Sequence, residues 1–215
     1  MSRALIALCA LLQAVPARYT VQAASLRACR PVQPQRRSVE LWSGGRQLAV
    51  GTWLVDGRRS HIAVRNTLGQ PVSILRIADG AVGLELVGRR EIVAADASLV
   101  VDVEAITTLA LGWLPREACE LRPMGEGWSA RGPEISAVLD REAAVIRAQV
   151  GPVAIERAGL EVWLRARGAE IRLVLGEPEE LDVPAQAFRI GLEHSIPTVS
   201  AERLGRLMGR RLLGL

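Results

Sequence analysis

Two histidines, His61 and His194, are all the imidazole in this 215-residue chain, so acid–base chemistry near neutral pH has few groups to draw on. His194 stands in Glu193-His194-Ser195, the residue types of an acid, a base and a nucleophile. Three contiguous residues do not converge on one reacting atom; such a set is assembled in space from separated segments. His61 sits inside an alternating stretch, and its neighbours Ser60 and Ile62 belong to no motif. No cysteine or histidine pair has the spacing of a zinc site, and no cofactor is implied. The acidic run Glu177, Glu179, Glu180 and Asp182 reads as a solvated loop without the fixed spacing of a calcium loop. Glycines fall at hairpin turns, not at the strand-to-helix junction of a phosphate loop. The chain reads as a protein without catalytic chemistry.

The elements around these residues are mostly strands. His61-Ile62-Ala63-Val64-Arg65, Ser73-Ile74-Leu75-Arg76-Ile77 and Ala81-Val82-Gly83-Leu84-Glu85-Leu86 alternate with period two, one face apolar and the other wet, as in an antiparallel sheet. Asp56-Gly57 and Asp79-Gly80 are hairpin signals. Residues 96–113 break the alternation: Leu99, Val103, Ile106, Leu109 or Ala110, and Trp113 recur at helical spacing, and Pro115 stops the helix. This helix is the natural lid on the sheet. Strands resume over 127–131, 135–140, 143–150, 153–157, 160–167 and 170–175, with turns spaced for a meander, and Phe188 to Glu193 is a last short strand.

Composition narrows the partners. Hydrophobic residues make up 49% of the chain and aromatics 3%, so any cavity must be lined by aliphatic side chains. All 27 basic residues are arginine, against 23 acidic ones. Arg76, Arg131, Arg141, Arg147, Arg165 and Arg172 are scattered singly along strands, where they form a solvent face. Nucleic-acid binding would favour clustered arginines interleaved with aromatics, and is not expected.

Residues 1–17 read as an export signal: Arg3, an apolar run from Ala4 to Val15, and a cut after Val15-Pro16-Ala17, or a later cut as far as residue 24. Residues 18–37 read as a tether, 38–195 as one β domain, and 196–215 as a basic amphipathic helix with Leu204, Leu207, Met208 and Leu212 on one face. Cys29 and Cys119 are either bridged or two free thiols; Leu26-Arg27-Ala28-Cys29 is a poor site for lipid attachment because of Arg27.

Arg65-Asn66-Thr67-Leu68-Gly69-Gln70, the Asp79-Gly80 hairpin, Ala95-Asp96-Ala97 and Gly112-Trp113-Leu114-Pro115 follow one another in an order that resembles the outer-membrane lipoprotein receptor LolB and related LolB-like proteins. The resemblance is most specific over residues 65–115; Thr67 stands where the family has proline, and residues 177–215 have no counterpart. It implies a mainly β fold, a strongly curved antiparallel half-barrel with helices covering its concave face. It also implies a non-enzymatic periplasmic carrier, associated with the outer membrane, that holds acyl chains of lipids or lipoproteins and meets a membrane surface or a periplasmic carrier partner. The cavity would lie between sheet and helix, lined by Val64, Ile74, Leu84, Ile106, Leu109 and Trp113. By position, Leu68 matches the family's exposed apolar loop residue that inserts into the membrane. The competing expectations are a structural or assembly protein of the envelope with a filled core, and a hydrolase built around His61 or His194.

Overall fold

Asp79 and Gly80 reverse the chain with φ of 51° and 72°, a mirror-image turn whose twist matches the flanking strands. Local reversals of this kind carry the polypeptide back and forth over nearly its whole length. The computed structural model describes residues 21–87, 91–95, 97–166, 168–190 and 198–199. The expected export signal, the Glu193-His194-Ser195 triplet and the basic pattern from Ser200 onward lie outside these residues.

A short helical stretch, α1 at residues 21–28, precedes six strands. These are β1 (Val32–Ser43), β2 (Arg46–Gly57), β3 (Arg59–Asn66), β4 (Pro71–Ala78), β5 (Ala81–Leu86) and β6 (Glu91–Ala95). The longer helix α2 (Ala97–Ala110) follows. The second run comprises β7 (Leu121–Met124), β8 (Gly127–Gly132), β9 (Ile135–Leu139), β10 (Val145–Val150), β11 (Val153–Ala158), β12 (Glu161–Ala166) and β13 (Ala169–Leu175). Two-residue strands β14 (Glu179–Glu180) and β15 (Thr198–Val199) complete the sheet. Each run is a meander of nearest neighbours, as the turn spacing predicts. The two are stitched together by β1 against β13, with Val39 opposite Leu175 and Leu41 opposite Leu173. Among the described residues all pairings are antiparallel except β15 with β6, and the sheet stays open between its β15 and β7 ends.

The sheet is strongly curved. α2 touches β5 on one side and β10 and β11 on the other. β5 and β10 are eight steps apart in the sheet, about 38 Å in a flat sheet at about 4.8 Å per step. A helix of 14 residues is only about 21 Å long, so the sheet must wrap around it. This is the half-barrel with helices on its concave face that the sequence resemblance implies.

Alternation sorts the side chains. Trp53 and Val55 of β2, Ile77 of β4, and Val82, Leu84 and Leu86 of β5 point to the concave side and are buried. Ala105, Leu109 and Ala110 of α2 meet a core that runs across Val39, Val162 and Leu175 to Trp128, Leu139 and Val145. On the convex face, Arg147, Glu156, Arg165 and Glu170 form a ladder, with Arg165 Nη1 2.8 Å from Glu156 and its Nε 2.6 Å from Glu170. Arg76 with Glu85, Arg141 with Glu126 and Arg172 with Glu161 add further pairs on the solvent side.

Four expectations are corrected. The tether at 18–37 is structured where it is described: α1 buries Ala24 and Ala28 in the core, and β1 begins at Val32, inside the expected tether rather than at Ser38. Pro31 and Pro34 suggest a tether, but Pro34 falls where the β1–β2 register shifts between Val32 and Gln35, a place where a strand tolerates proline. Phe188 ends the 3-10 turn Ala185–Phe188 instead of opening a strand. Strand β7 is unexpected, because it is four residues long and contains Pro123. Thr198 and Val199, assigned to the start of a helix, pair with β6 as a strand.

The chain after β14 recrosses the convex face. Leu181, Val183, Ala187 and Phe188 cover Leu54 and Ala78 there. His61 Nδ1 lies 2.6 Å from the Ala187 carbonyl oxygen, and the Arg59 guanidinium stacks 5.0 Å from the Phe188 ring centroid.

Candidate functional site

Between α2 and the middle of the sheet lies a cavity of about 260 Å³. The helix supplies Val103, Ile106, Thr107 and Ala110 along one side. Val39 and Leu41 of β1, Trp53 of β2, and Ile62 and Val64 of β3 form the floor. Ser73 and Leu75 of β4 close one flank, and Leu164, Ile171 and Leu173 of β12 and β13 close the other. Those strands are contiguous in the sheet, so the cavity straddles the β1–β13 seam.

The walls are aliphatic apart from Trp53 and two hydroxyls. Trp53 turns its polar edge away, its Nε1 donating to Ser60 Oγ at 3.2 Å. Thr107 Oγ1 is satisfied within α2, 2.9 Å from both the Val103 and Glu104 carbonyl oxygens. The Ser73 hydroxyl makes no such bond among the described residues, although Ser73 is only 5% exposed. Among the described residues no charged side chain lines the space.

Of the six residues expected to line a cavity, Val64 and Ile106 do so. Leu84 shares the concave face, opposite Leu75, but is wholly buried beneath the lining. Leu109, also 0% exposed, belongs to the packed core and does not line the space. Trp113 lies past the helix end, with the Arg30 guanidinium 4.6 Å above its ring centroid. Ile74 falls on the convex face: it pairs with Ala63 and Glu85, while Ser73 and Leu75 on either side of it point inward. The phase of β4 is set by burial of Ile77, not by which residue is most apolar. Reading inward from Val64 by register finds Ser73 directly opposite, and Ile62 and Leu75 one pair further on.

Two arginines lie on the concave side with little solvent exposure, Arg37 buried and Arg157 half-buried. Arg37, on the concave face opposite Trp53, donates from Nε to Gln35 Oε1 at 3.1 Å and from Nη1 to the Gly176 carbonyl oxygen at 3.2 Å. Arg157 packs over Gly112 at the end of α2, and its Nε has no partner among the described residues. Burial lowers both below the usual arginine range, and for Arg37 the nearby Arg157 charge lowers it further. A cation at this end of a helix is stabilised by the backbone carbonyls there.

Leu68 is 81% exposed at the tip of the β3–β4 turn. Asn66 Oδ1 accepts from the Leu68 and Gln70 amides at 3.0 and 2.9 Å, and Asn66 Nδ2 donates to Gln70 Oε1 at 3.0 Å. The side chain is therefore held out on a braced turn. Beyond the C-terminal end of α2, Cys29 and Cys119 form a disulfide with their Cα atoms 5.8 Å apart, which resolves the two readings of these residues. His61 is on the convex face with its ring engaged by Ala187, so it does not meet the cavity.

No protein-family model matches the chain, and no curated protein matches it in sequence. Among solved structures it is similar to a DUF1329 family protein from Desulfovibrio piger, at TM-score 0.49 and 7% identity over 80% of this chain and 96% of that one. It is also similar to a LolA superfamily protein from Nitrosomonas europaea, at TM-score 0.44 and 7% identity over 80% and 97% of the two chains. The lipoprotein LppX of Mycobacterium tuberculosis aligns at TM-score 0.33 and 12% identity over 78% and 98%. None of these three reaches a TM-score of 0.5, so the cavity must carry any functional reading by its own chemistry.

Proposed function

We propose that this chain is a non-enzymatic carrier of the bacterial cell envelope that holds a lipid acyl chain in the cavity under α2 and assists delivery to the outer membrane. The observation that carries this reading is a space of about 260 Å³ whose walls are almost entirely aliphatic. Apolar cavities of this order stay dry and favour apolar ligands. Each methylene moved from water into such a space contributes about 0.8 kcal/mol, with no catalytic group required. At about 30 Å³ for a water-sized group, the space takes roughly nine such groups, which suits one medium-length chain.

Two further features support the envelope setting. The Cys29–Cys119 bridge belongs to an oxidising compartment such as the periplasm, in keeping with an export signal at 1–17. Leu68, held outward on its turn, is placed to enter a membrane surface during delivery.

The test is native mass spectrometry of protein purified from cell membranes, combined with uptake of a fluorescent fatty-acid methyl ester. Acyl species should co-purify with the wild-type chain, and Ile106→Asp, which puts a carboxylate in the cavity wall, should abolish both co-purification and uptake. A clean apo mass with no uptake would overturn the carrier reading in favour of an envelope structural protein with a filled core.

A further inference from the structure

Ser73 is the one lining residue whose polar group is left over. Its neighbours on β4 pair into the sheet as usual, and its side chain is on the concave face opposite Val64. It is only 5% exposed, yet its hydroxyl has no partner among the described residues. Its oxygen is not one of the fully buried unpaired polar atoms, so the hydroxyl keeps access to the space and can donate to an acceptor placed there. Thr107, the other hydroxyl in the wall, has its proton engaged by α2 carbonyls, so only Ser73 offers a free donor to the space.

The position of that donor has a direction. On β3 and β4 the cavity is lined by two cross-strand pairs, Ser73 with Val64 and Leu75 with Ile62. The Ser73–Val64 pair is the one nearer the Asn66–Gln70 turn that carries Leu68. The rest of the lining, from Leu75 and Ile62 to Leu164 and Leu173, offers no free polar group.

We propose that the Ser73 hydroxyl donates to the ester carbonyl of a single-chain acyl ligand, with the ligand's tail among the aliphatic side chains and its head toward the Leu68 turn. This rests on the acyl-carrier reading above and specifies its ligand class. A neutral ester is favoured over a free fatty acid because no arginine or histidine among the described residues lines the space, and an unpaired carboxylate there would be costly. It is favoured over a hydrocarbon because its carbonyl can accept from the Ser73 hydroxyl and a hydrocarbon cannot.

Methyl decanoate and undecane separate these cases, since they match in carbon number and differ in the ester group. Affinities of both are measured on the full chain through the change in tryptophan fluorescence, Trp53 being the tryptophan that lines the cavity. The readout is the ester affinity divided by the hydrocarbon affinity. Ser73→Ala should lower this ratio by about five- to tenfold relative to wild type, the worth of one hydrogen bond, while undecane binds at least as well. Ser73→Thr, which keeps the hydroxyl, should keep the ratio. Binding of both ligands with a ratio that Ser73→Ala leaves unchanged would overturn the Ser73 assignment and leave the carrier reading standing. Failure of the wild type to bind either ligand would overturn both.

Discussion

Arg157 lies across the end of α2 with its Nη1 2.6 Å from the point where a Cβ on Gly112 would stand. Gly112 also has a φ of +93°, a backbone conformation costly for any residue with a side chain. The helix ends at this glycine, ahead of Pro115, the stop expected from sequence, because only a glycine can turn the chain here and leave room for the guanidinium. Gly112→Ala should cost about 1–3 kcal/mol, read as a lower urea midpoint. A midpoint unchanged from wild type would mean the contact has no energetic weight.

A hollow space and a filled one respond differently to truncation. Leu109 is fully enclosed, and Leu109→Ala should cost about 2–5 kcal/mol. Ile106 already borders open volume, so Ile106→Ala removes fewer contacts and should cost clearly less. Equal losses for the two variants in chemical denaturation would indicate that the space beneath Ile106 is packed in solution.

Leu68 should matter for surface binding and hardly at all for folding. Moving a leucine side chain out of water contributes about 1.5–3 kcal/mol, so Leu68→Glu should reduce partition onto anionic lipid vesicles by about tenfold or more. Its thermal midpoint should stay close to wild type because the residue is exposed. Asn66→Ala, which removes the acceptor for two turn amides, should weaken vesicle binding more mildly.

Glu104 gives a pH dependence of definite sign. Burial raises its carboxyl above the ordinary glutamate range, the Arg58 guanidinium 3.6 Å away opposes this, and Glu117 adds to the rise. The folded protein then holds this proton more tightly than the unfolded one, so stability falls as pH climbs from the ordinary glutamate value through the folded-state value. Glu104→Gln should change little in acid and stabilise at neutral pH. Urea midpoints at about pH 3.5 and about pH 7.5, on either side of the glutamate range, check this. An equal shift at both would remove Glu104 from the account.

The Cys29–Cys119 bridge ties α1 and the start of β1 to the segment beyond α2, across a sequence separation of 90. Replacing both cysteines by alanine should cost about 2–4 kcal/mol, and a reductant should lower the melting temperature of the wild type but not of the double variant.

The strands are legible in the sequence because their alternation is a local property: His61 to Arg65 and Ala81 to Leu86 each show their inward face without reference to any neighbour. The helix at 97–110 is legible for the same reason, through Val103, Ile106 and Leu109. Which strand meets which across the seam is not, since nothing near Val39 announces Leu175. The cavity divides in the same way. Val64 and Ile106 can be picked out by local pattern, whereas Ile74 misleads, because an apolar residue on a two-sided strand does not reveal its phase. Ser73 is hidden because a serine between apolar residues reads as a wet position until its register with Val64 is known. Ala24 and Ala28 escape notice because small residues give little periodic signal, yet they let α1 sit close against the sheet.

The seam between β1 and β13 has a consequence in time. Arg37 reaches the carbonyl of Gly176 across 139 residues, and the wall of the cavity is drawn from both sides of that junction. Until the polypeptide has emerged through about that point, β1 lacks one of its two neighbours and no pocket exists. Contacts of such long range form slowly, so each meander can assemble before the seam joins them. The cavity is thereby a product of the joined meanders and of neither one alone.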